Sequence, residues 1–320
     1  MLQHIVLPLL VGLGVFLTGM KVMELALHQW AGPYLSRLIE RFTRTPLRGL
    51  LIGTGVTAVL QSSSAITVIC IGLVNTGLMT FPRTLGLILG TNIGTCLTTE
   101  LIGLNLTRLA LPVLLGAAAV WLGTLALVPI RSFRTRRWLH SVRCLSLAAC
   151  GFAAVMLGVE VMQTIVPELQ SRGLFAWFVD HAQRSILWGV FAGMIVTALI
   201  HSSAAVIAMT MGLASVQVVP VEVGIAIVLG ANVGTCVTAL IASIGASRSG
   251  RFVAWSHIAL NVGGAALFLP LLPLLHQASV LLSESASGQI AHAQTLFNIV
   301  SSLLALPLCY LPVFNNRPSA

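Results

Sequence analysis

Apolar residues fill most of this chain, in long stretches separated by short polar segments. A helix needs about 20 apolar residues to cross the hydrocarbon core of a bilayer, and seven stretches approach or exceed that length. The pattern therefore predicts an all-α polytopic membrane protein with crossings at residues 5–27, 85–105, 109–130, 143–162, 224–245, 252–275 and 290–313. The first stretch is too long for the apolar core of a signal peptide, so we interpret it as a retained helix.

Two further apolar stretches, residues 47–78 and 187–215, are broken near the middle by polar side chains. The breaks are Gln61, Ser62, Ser63 and Ser64 in the first stretch and His201, Ser202 and Ser203 in the second. Each arm has roughly 14 residues, which is too short to cross at about 1.5 Å per residue. Each stretch is therefore either a re-entrant hairpin or one tilted crossing.

The two breaks belong to an internal repeat. The first break recurs in the second at an offset of 140 residues, and a second polar element follows at the same offset. That element contains Asn92, Thr95 and Thr98 in its first copy and Asn232, Thr235 and Thr238 in its second. A polar cluster that occurs twice in a membrane protein indicates a binding site built by both copies.

Arginine placement distinguishes a hairpin from a crossing, because basic residues prefer the cytoplasmic face of a membrane. With two hairpins, thirteen of the sixteen arginines share one face and only Arg108, Arg172 and Arg184 lie opposite. If each broken stretch crosses once, the split falls to ten against six. We therefore predict two re-entrant hairpins, with the N-terminus outside and the C-terminus cytoplasmic.

This topology gives each half three crossings, so the two halves are inverted relative to each other. The predicted first inverted repeat is 1–130, with its hairpin at about 47–78, and a basic cytoplasmic connector follows at 131–142. The second repeat is 143–275, with its hairpin at about 187–215. Residues 276–320 are predicted to form a loop, the last transmembrane helix and a short tail.

Composition supports the membrane assignment. Charged residues make up 8% of the chain, against roughly 25% in a soluble domain. The net charge of +9 resides at the ends of apolar stretches, where it sets orientation, so we predict a lipid bilayer and no nucleic acid as partner. The six cysteines lack metal-ligand spacing and are expected to pack as small residues. The oligomeric state is open, with a homodimer as one candidate.

The serine-rich tips suit an anion. One of Ser62, Ser63 and Ser64 is expected to cap a helix that begins near Ala65, and Ser202 or Ser203 is expected to do so in the second hairpin. Each tip then presents backbone N–H groups, hydroxyls and a positive helix-dipole end. Two inverted tips would meet near the midplane and hold an oxyanion from both sides. The candidate substrate-binding residues are Gln61, Ser62, Ser63, Ser64, His201, Ser202 and Ser203.

The second polar element suits a hard cation. Glycines flank its Asn and Thr in both copies, so we expect the helix to unwind there and expose carbonyl oxygens. Together with the side-chain oxygens, these carbonyls suit sodium. The candidate sodium ligands are Asn92, Thr95, Thr98, Asn232, Thr235 and Thr238. Neighbouring anion and cation sites indicate cotransport, with sodium as coupling ion and no cofactor or other metal.

Other interpretations stay open. Serines and threonines in membrane helices commonly only join helices, which would make the chain a non-transporting scaffold. An intramembrane hydrolase is disfavoured, because His201 and Ser202 are adjacent in the chain and no Gly-x-Ser-x-Gly elbow occurs, so no catalytic residue is assigned.

Some polar and charged residues outside the two repeated polar motifs have two interpretations. The pairs His257 with Asn261 and Gln294 with Asn298, each at i, i+4 spacing, are interpreted as contacts between helices, with cavity lining as the alternative. Glu100 lies within an apolar stretch and is interpreted as structural, while a coupling role stays open.

At these motifs the chain resembles the type II sodium/phosphate cotransporter family, which has bacterial members. The mark of that family is a Gln-Ser-Ser-Ser tip in each of two inverted repeats, and residues 61–64 match it fully. The family's Gly-x-Asn-x-Gly-Thr element appears at 90–95 and at 230–235. Its late-helix sequence Ala-His-Thr-Leu-Phe-Asn is followed at 294–298, apart from Gln294 in the His position. The resemblance covers nearly the whole chain.

The resemblance implies phosphate at the two serine tips and sodium at the neighbouring polar groups. It implies a sodium-coupled transporter of inorganic phosphate in the bacterial inner membrane, working by alternating access, and not an enzyme. His201 stands where the family has Gln and would add a pH-dependent donor, while Ala204 replaces the third Ser. A carrier or exporter of another small oxyanion remains the alternative. We expect no PhoU-like C-terminal domain.

Overall fold

The computed structural model describes residues 5–75, 79–127, 137–171 and 173–311. All regular structure within these ranges is helical, and none of their residues forms a strand. The first eight helices are α1 Leu7–Phe42, α2 Pro46–Leu60, α3 Ser63–Asn75, α4 Phe81–Gly94, α5 Cys96–Gly103, α6 Ala110–Leu127, α7 Arg137–Gln163 and α8 Val166–Gln170. The next eight are α9 Gly173–Arg184, α10 Leu187–Ile200, α11 Ser203–Ser215, α12 Val221–Gly234, α13 Cys236–Ala242, α14 Arg248–Phe268, α15 Leu272–Val280 and α16 Ala286–Ala305.

Within the described ranges, six helical stretches are long and apolar enough to cross a membrane. They are Leu7–Gly32, Phe81–Gly103, Thr107–Leu127, Arg137–Gln170, Val221–Ala242 and Ala286–Tyr310. They coincide with six of the seven predicted crossings, which confirms an all-α, multi-pass membrane protein.

The seventh predicted crossing, 252–275, contains a bend of 81° between Phe268 and Leu272. Pro270 and Pro273 explain the bend, because proline lacks a backbone donor and its ring clashes with the preceding turn of a helix. The 21 residues of α14 span about 31 Å, so α14 is long enough to cross without α15.

Each of the two broken stretches consists of two short apolar helices, as predicted for hairpins. The first pair is α2 with α3 and the second is α10 with α11, and each helix has 13 to 15 residues. At about 20 Å, none of the four is long enough to cross. Residues 76–78, at the end of the first predicted hairpin, lie outside the described ranges. The inverted orientation of the two halves stays a prediction.

The first arm of each hairpin packs on a crossing helix through closely spaced glycines. A Cβ atom added at Gly90 would lie 2.1 Å from the carbonyl oxygen of Leu50, and one at Gly230 would lie 1.9 Å from that of Val190. Only a residue without a Cβ permits such an approach. We call these contacts the glycine seams. They are formed by Gly53 and Gly90 between α2 and α4, and by Gly193 and Gly230 between α10 and α12.

Internal packing divides the chain into two compact units. The first contains Met1–Ser36, Val59–Gln61 and Asn105–Ser171, and in it α1 meets α7 at small residues such as Gly12 and Gly158. The second contains Arg37–Ala58, Ser62–Leu104 and Arg172–Ala320. Both glycine seams and both copies of the second polar element belong to this second unit. Its apolar core includes Phe268 against Phe297, whose ring centroids are 5.2 Å apart.

Candidate functional site

The two hairpin tips have the same local structure. α2 ends at Leu60 and α10 at Ile200, and the residue that follows each helix, Gln61 or His201, has a left-handed backbone with φ of 57° or 58°. The next residue is the helix cap that the sequence predicts. Ser62 Oγ accepts a hydrogen bond from Ala65 N at 3.4 Å, and Ser202 Oγ accepts one from Ala205 N at 3.2 Å. The helices that follow therefore begin at Ser63 and Ser203, each with its N-terminus at the tip.

A polar cavity in the second unit brings the two tips and both copies of the second polar element together. Its volume is about 330 Å³, including its open mouth. Its lining residues are Ser63, Ser64, Thr67, Asn92, Thr95, Ser203, Asn232, Thr235, Thr238 and His257. Two segments 140 residues apart in sequence thus contribute matching serines, asparagines and threonines to one cavity.

The cavity includes most of the predicted site residues but not all. From the tips, Ser63, Ser64 and Ser203 line it. Ser62 and Ser202 do not, because their hydroxyls turn back to cap α3 and α11. Gln61 and the exposed His201 are also outside the lining.

Among the predicted sodium ligands, five line the cavity and Thr98 does not. Thr98 is buried, with 4% of its surface exposed, whereas its counterpart Thr238 lines the cavity. The two copies of this element therefore present different residues to the cavity.

The expectation that the helix unwinds at the second polar element is wrong. α4 gives way to α5 at the single residue Thr95, which keeps a helical φ of −66° and ψ of −22°. Its N–H still donates to Thr91 O at 3.1 Å, and Thr235 N–H donates to Ala231 O at the same distance. The glycines serve packing instead, since a Cβ at Gly94 would lie 2.6 Å from Thr54 O.

The oxygen atoms that face the cavity therefore come from side chains. Thr95 Oγ1 donates its hydrogen to Asn92 O at 2.8 Å, and Thr235 Oγ1 donates to Asn232 O at 2.6 Å. Because the hydrogens point back to the helix, lone pairs of these hydroxyls are left for a cation. The amide nitrogens of the two asparagines also donate, to Asn261 Oδ1 at 3.3 Å and to Val228 O at 2.9 Å, which leaves their amide oxygens as possible ligands.

Two lining residues, Thr67 and His257, are absent from the predicted site. Thr67 lies one turn beyond Ser63 and donates to its carbonyl at 3.0 Å, so helical spacing from the tip was the available signal. For His257 the sequence favours a contact between helices and leaves cavity lining as the alternative, and the structure has it in the cavity lining. Its neighbour Asn261 does join helices, because it accepts from the amide of Asn92.

Neutral groups dominate the cavity lining. Nine of the ten lining residues are serine, threonine or asparagine, and none is Lys, Arg, Asp or Glu. The positive ends of α3 and α11 lie at the tips, where helix N-termini favour negative charge. An oxyanion can thus be bound by hydroxyls and helix ends, while oxygen atoms nearby suit a small hard cation.

Glu100, whose role the sequence left open, has partners on α16. Its carboxylate lies 3.0 Å from His292 Nδ1 and accepts a hydrogen bond from Thr295 Oγ1. One turn earlier, Cys96 Sγ accepts a hydrogen bond from Asn298 Nδ2 at 3.3 Å. These contacts join α5 to α16, which agrees with the interpretation of Asn298 as a helix contact.

Capped tips around one polar cavity, within a bundle of membrane-spanning helices, are the features of a membrane transporter. A family model described as Na+/Pi-cotransporter matches residues 15–164 and again residues 154–301. The chain therefore belongs to the Na+/Pi-cotransporter family, a family of transporters and not of enzymes. The double match agrees with the internal repeat.

Several named proteins are similar to this chain. Uncharacterized protein YqeW of Bacillus subtilis is 32% identical over 296 residues, which cover 92% of each chain. The Escherichia coli protein named "Putative inorganic phosphate export protein YjbB" is 24% identical over 302 residues, 94% of this chain and 53% of that one. Sodium-dependent phosphate transport protein 2A of Oryctolagus cuniculus is 25% identical over 197 residues, 58% of this chain and 29% of that one. The chain thus spans about half the length of the export relative. No solved structure matches.

Proposed function

We propose that the protein transports inorganic phosphate across the bacterial plasma membrane by alternating access, with sodium as the coupling ion. The observation that carries the proposal is the cavity lined by both tips and both copies of the second polar element. Relatives named for phosphate export and for sodium-dependent phosphate transport support the choice of ions. The proposed topology has inverted halves, an outer N-terminus and a cytoplasmic C-terminus.

Each group of lining residues has a proposed role. Ser63, Ser64 and Ser203 bind phosphate through their hydroxyls, next to the N-termini of α3 and α11. The proposed sodium ligands are Asn92, Thr95, Asn232, Thr235 and Thr238. Sodium beside the anion offsets its charge, so the two ions favour each other's binding. Ser62 and Ser202 shape the tips as caps.

Uptake of radiolabelled phosphate into proteoliposomes tests both parts of the proposal. An inward sodium gradient should drive accumulation, and replacing sodium by potassium or choline should abolish it. Accumulation that is equal in all three salts would refute sodium coupling but leave phosphate transport standing. No accumulation in any salt and no efflux from proteoliposomes loaded with labelled phosphate, with protein shown to be inserted and monodisperse, would refute phosphate transport.

A pair of serine variants tests the site. Ser63→Ala removes a cavity hydroxyl and should lower phosphate affinity roughly tenfold, the loss expected for a hydrogen bond to a charged ligand. Ser256→Ala is the matched control, because Ser256 Oγ donates to Phe252 O at 2.8 Å on α14 and does not line the cavity. Equal affinities in the two variants would remove Ser63 from the site.

Export is the second candidate direction of net flux, favoured by the name of the Escherichia coli relative. Proteoliposomes loaded with labelled phosphate distinguish the two directions. Efflux that requires sodium inside and exceeds uptake under the mirrored gradient would assign export.

A further inference from the structure

One lining residue of the cavity differs in chemistry from all the others. Nine lining side chains carry hydroxyls or amides, and the tenth, His257, carries an imidazole. His257 lies on α14, outside both tips and both copies of the second polar element. Its partner in sequence, Asn261, holds this part of α14 next to Asn92 on α4 by a hydrogen bond of 3.3 Å. This bond holds the part of α14 that carries His257 beside the cavity residue Asn92.

The two ring nitrogens of His257 have different surroundings. The residue is buried, with only 5% of its surface exposed, and Nδ1 is enclosed without a hydrogen-bond partner among the described residues. Nε2 is not among the enclosed, unpartnered atoms, and His257 lines the cavity, so we assign Nε2 as the ring nitrogen that faces the cavity. A buried polar atom without a partner is uncommon in proteins and calls for an explanation.

The enclosed Nδ1 determines which nitrogen carries the hydrogen. A buried N–H without an acceptor is rarer in proteins than an acceptor without a donor. In the neutral ring one nitrogen donates and the other accepts, so the hydrogen belongs on Nε2 and Nδ1 keeps a bare lone pair. The ring then presents an N–H donor to the cavity, and a bound oxyanion accepts from it.

We propose that His257 is a phosphate-contacting residue whose Nε2–H donates a hydrogen bond to the bound anion. This inference rests on the proposed function and adds to it a ligand from a helix outside the repeated motifs. It also reassigns the histidine of the site: sequence reasoning chose His201, but that residue is exposed at the end of α10 and does not line the cavity.

Equilibrium binding of radiolabelled phosphate to the purified full chain tests the proposal without requiring transport. His257→Leu removes the donor at similar volume and should weaken phosphate binding roughly ten- to a hundredfold. His257→Gln restores an N–H donor and should recover most of that loss. His276→Gln is the matched control, because His276 lies beside Glu222 outside the cavity lining, and this variant should bind phosphate within twofold of the unchanged protein.

Thermal unfolding without phosphate separates a binding role from a structural one. His257→Leu removes an enclosed atom that has no partner, so the variant should unfold at the same or a higher temperature while losing the stabilisation that added phosphate gives. His257→Leu that binds phosphate within twofold of the unchanged protein would overturn this inference alone. Equal losses of phosphate affinity in the Leu and Gln variants would also overturn it, as would unfolding of the Leu variant at a clearly lower temperature. An unchanged protein that binds no phosphate would overturn the proposed function and this inference with it.

Discussion

The two copies of the second polar element share a sequence but have different neighbours. In the first copy, Asn92 bonds to Asn261 on α14 and Cys96 bonds to Asn298 on α16. In the second copy, the Asn232 amide donates to Val228 O and Cys236 Sγ donates to Asn232 O, both within α12 and α13. The difference arises because α14 and α16 contact the first copy through Asn261 and Asn298, and no asparagine occupies the position of Asn261 in the first half, where Trp121 stands. Sequence repetition thus defines a common cavity without giving each half the same role.

The largest expected effect is a loss of stability at the glycine seams, which both copies share. A Cβ at Gly53 would lie 2.3 Å from Leu87 O, and one at Gly193 would lie 2.1 Å from Ile227 O. Gly53→Ala and Gly193→Ala should each cost about 3 kcal/mol or prevent folding, because the clash is with backbone. Gly55→Ala, two residues along α2 with open space around it, should not destabilise. Thermal unfolding in detergent measures all three, and a tolerated alanine at either seam would show that the copies pack differently.

A smaller loss of stability is expected at Glu100, a charge that only the first copy has. Leu240 occupies the position equivalent to Glu100, so Glu100→Leu gives the first copy the residue of the second. The change should cost about 1–3 kcal/mol, because His292 and Thr295 lose their half-buried acceptor.

Glu222→Leu is the control for that change. Glu222 also faces a histidine, with His276 Nδ1 at 3.2 Å, but its side chain is 51% exposed, and exposed pairs contribute less than about 1 kcal/mol. Comparable midpoints of unfolding for the two variants would mean that the contact between α5 and α16 adds nothing to stability.

The smallest expected effect concerns the threonine at which the copies diverge. Thr238 lines the cavity and Thr98 is buried away from it, so Thr238→Val should raise the sodium concentration for half-maximal phosphate uptake roughly fivefold. Thr98→Val should change it less than twofold. A larger change in the half-maximal sodium concentration for Thr98→Val than for Thr238→Val would assign the sodium site to the first copy. An unchanged sodium concentration in both variants would exclude both threonines as ligands.

Much of the fold could be predicted, because apolar length and the broken stretches depend on local sequence. A serine cap at each tip followed from residue type, while the structure identifies Ser62 and Ser202 among the candidates. The sequence could not indicate which side of a helix faces the cavity, since that depends on packing against helices distant in the chain. For this reason the predicted site residues include Thr98 and His201, which do not line the cavity, and omit His257, which does.

The glycines of the second polar element led to the incorrect expectation of an unwound helix. Glycine both weakens a helix and permits close helix contact, and spacing alone does not distinguish the two. Gly53 and Gly193 repeat at the same offset, on the hairpin arms that pack against these helices. This repetition was the signal in the sequence that favoured close helix contact over unwinding.

The glycine seams also have a mechanical consequence. Lipid tails are as apolar as the side chains, so burial of apolar surface does little to hold one membrane helix against another. A Cβ at Gly90 would overlap Leu50 O, so the two main chains are in close contact there, and such close packing of small residues is what holds membrane helices together. We expect α2 to stay packed on α4, and α10 on α12, during transport. We therefore expect the movements of a transport cycle to occur at the tips and in the second arms, α3 and α11.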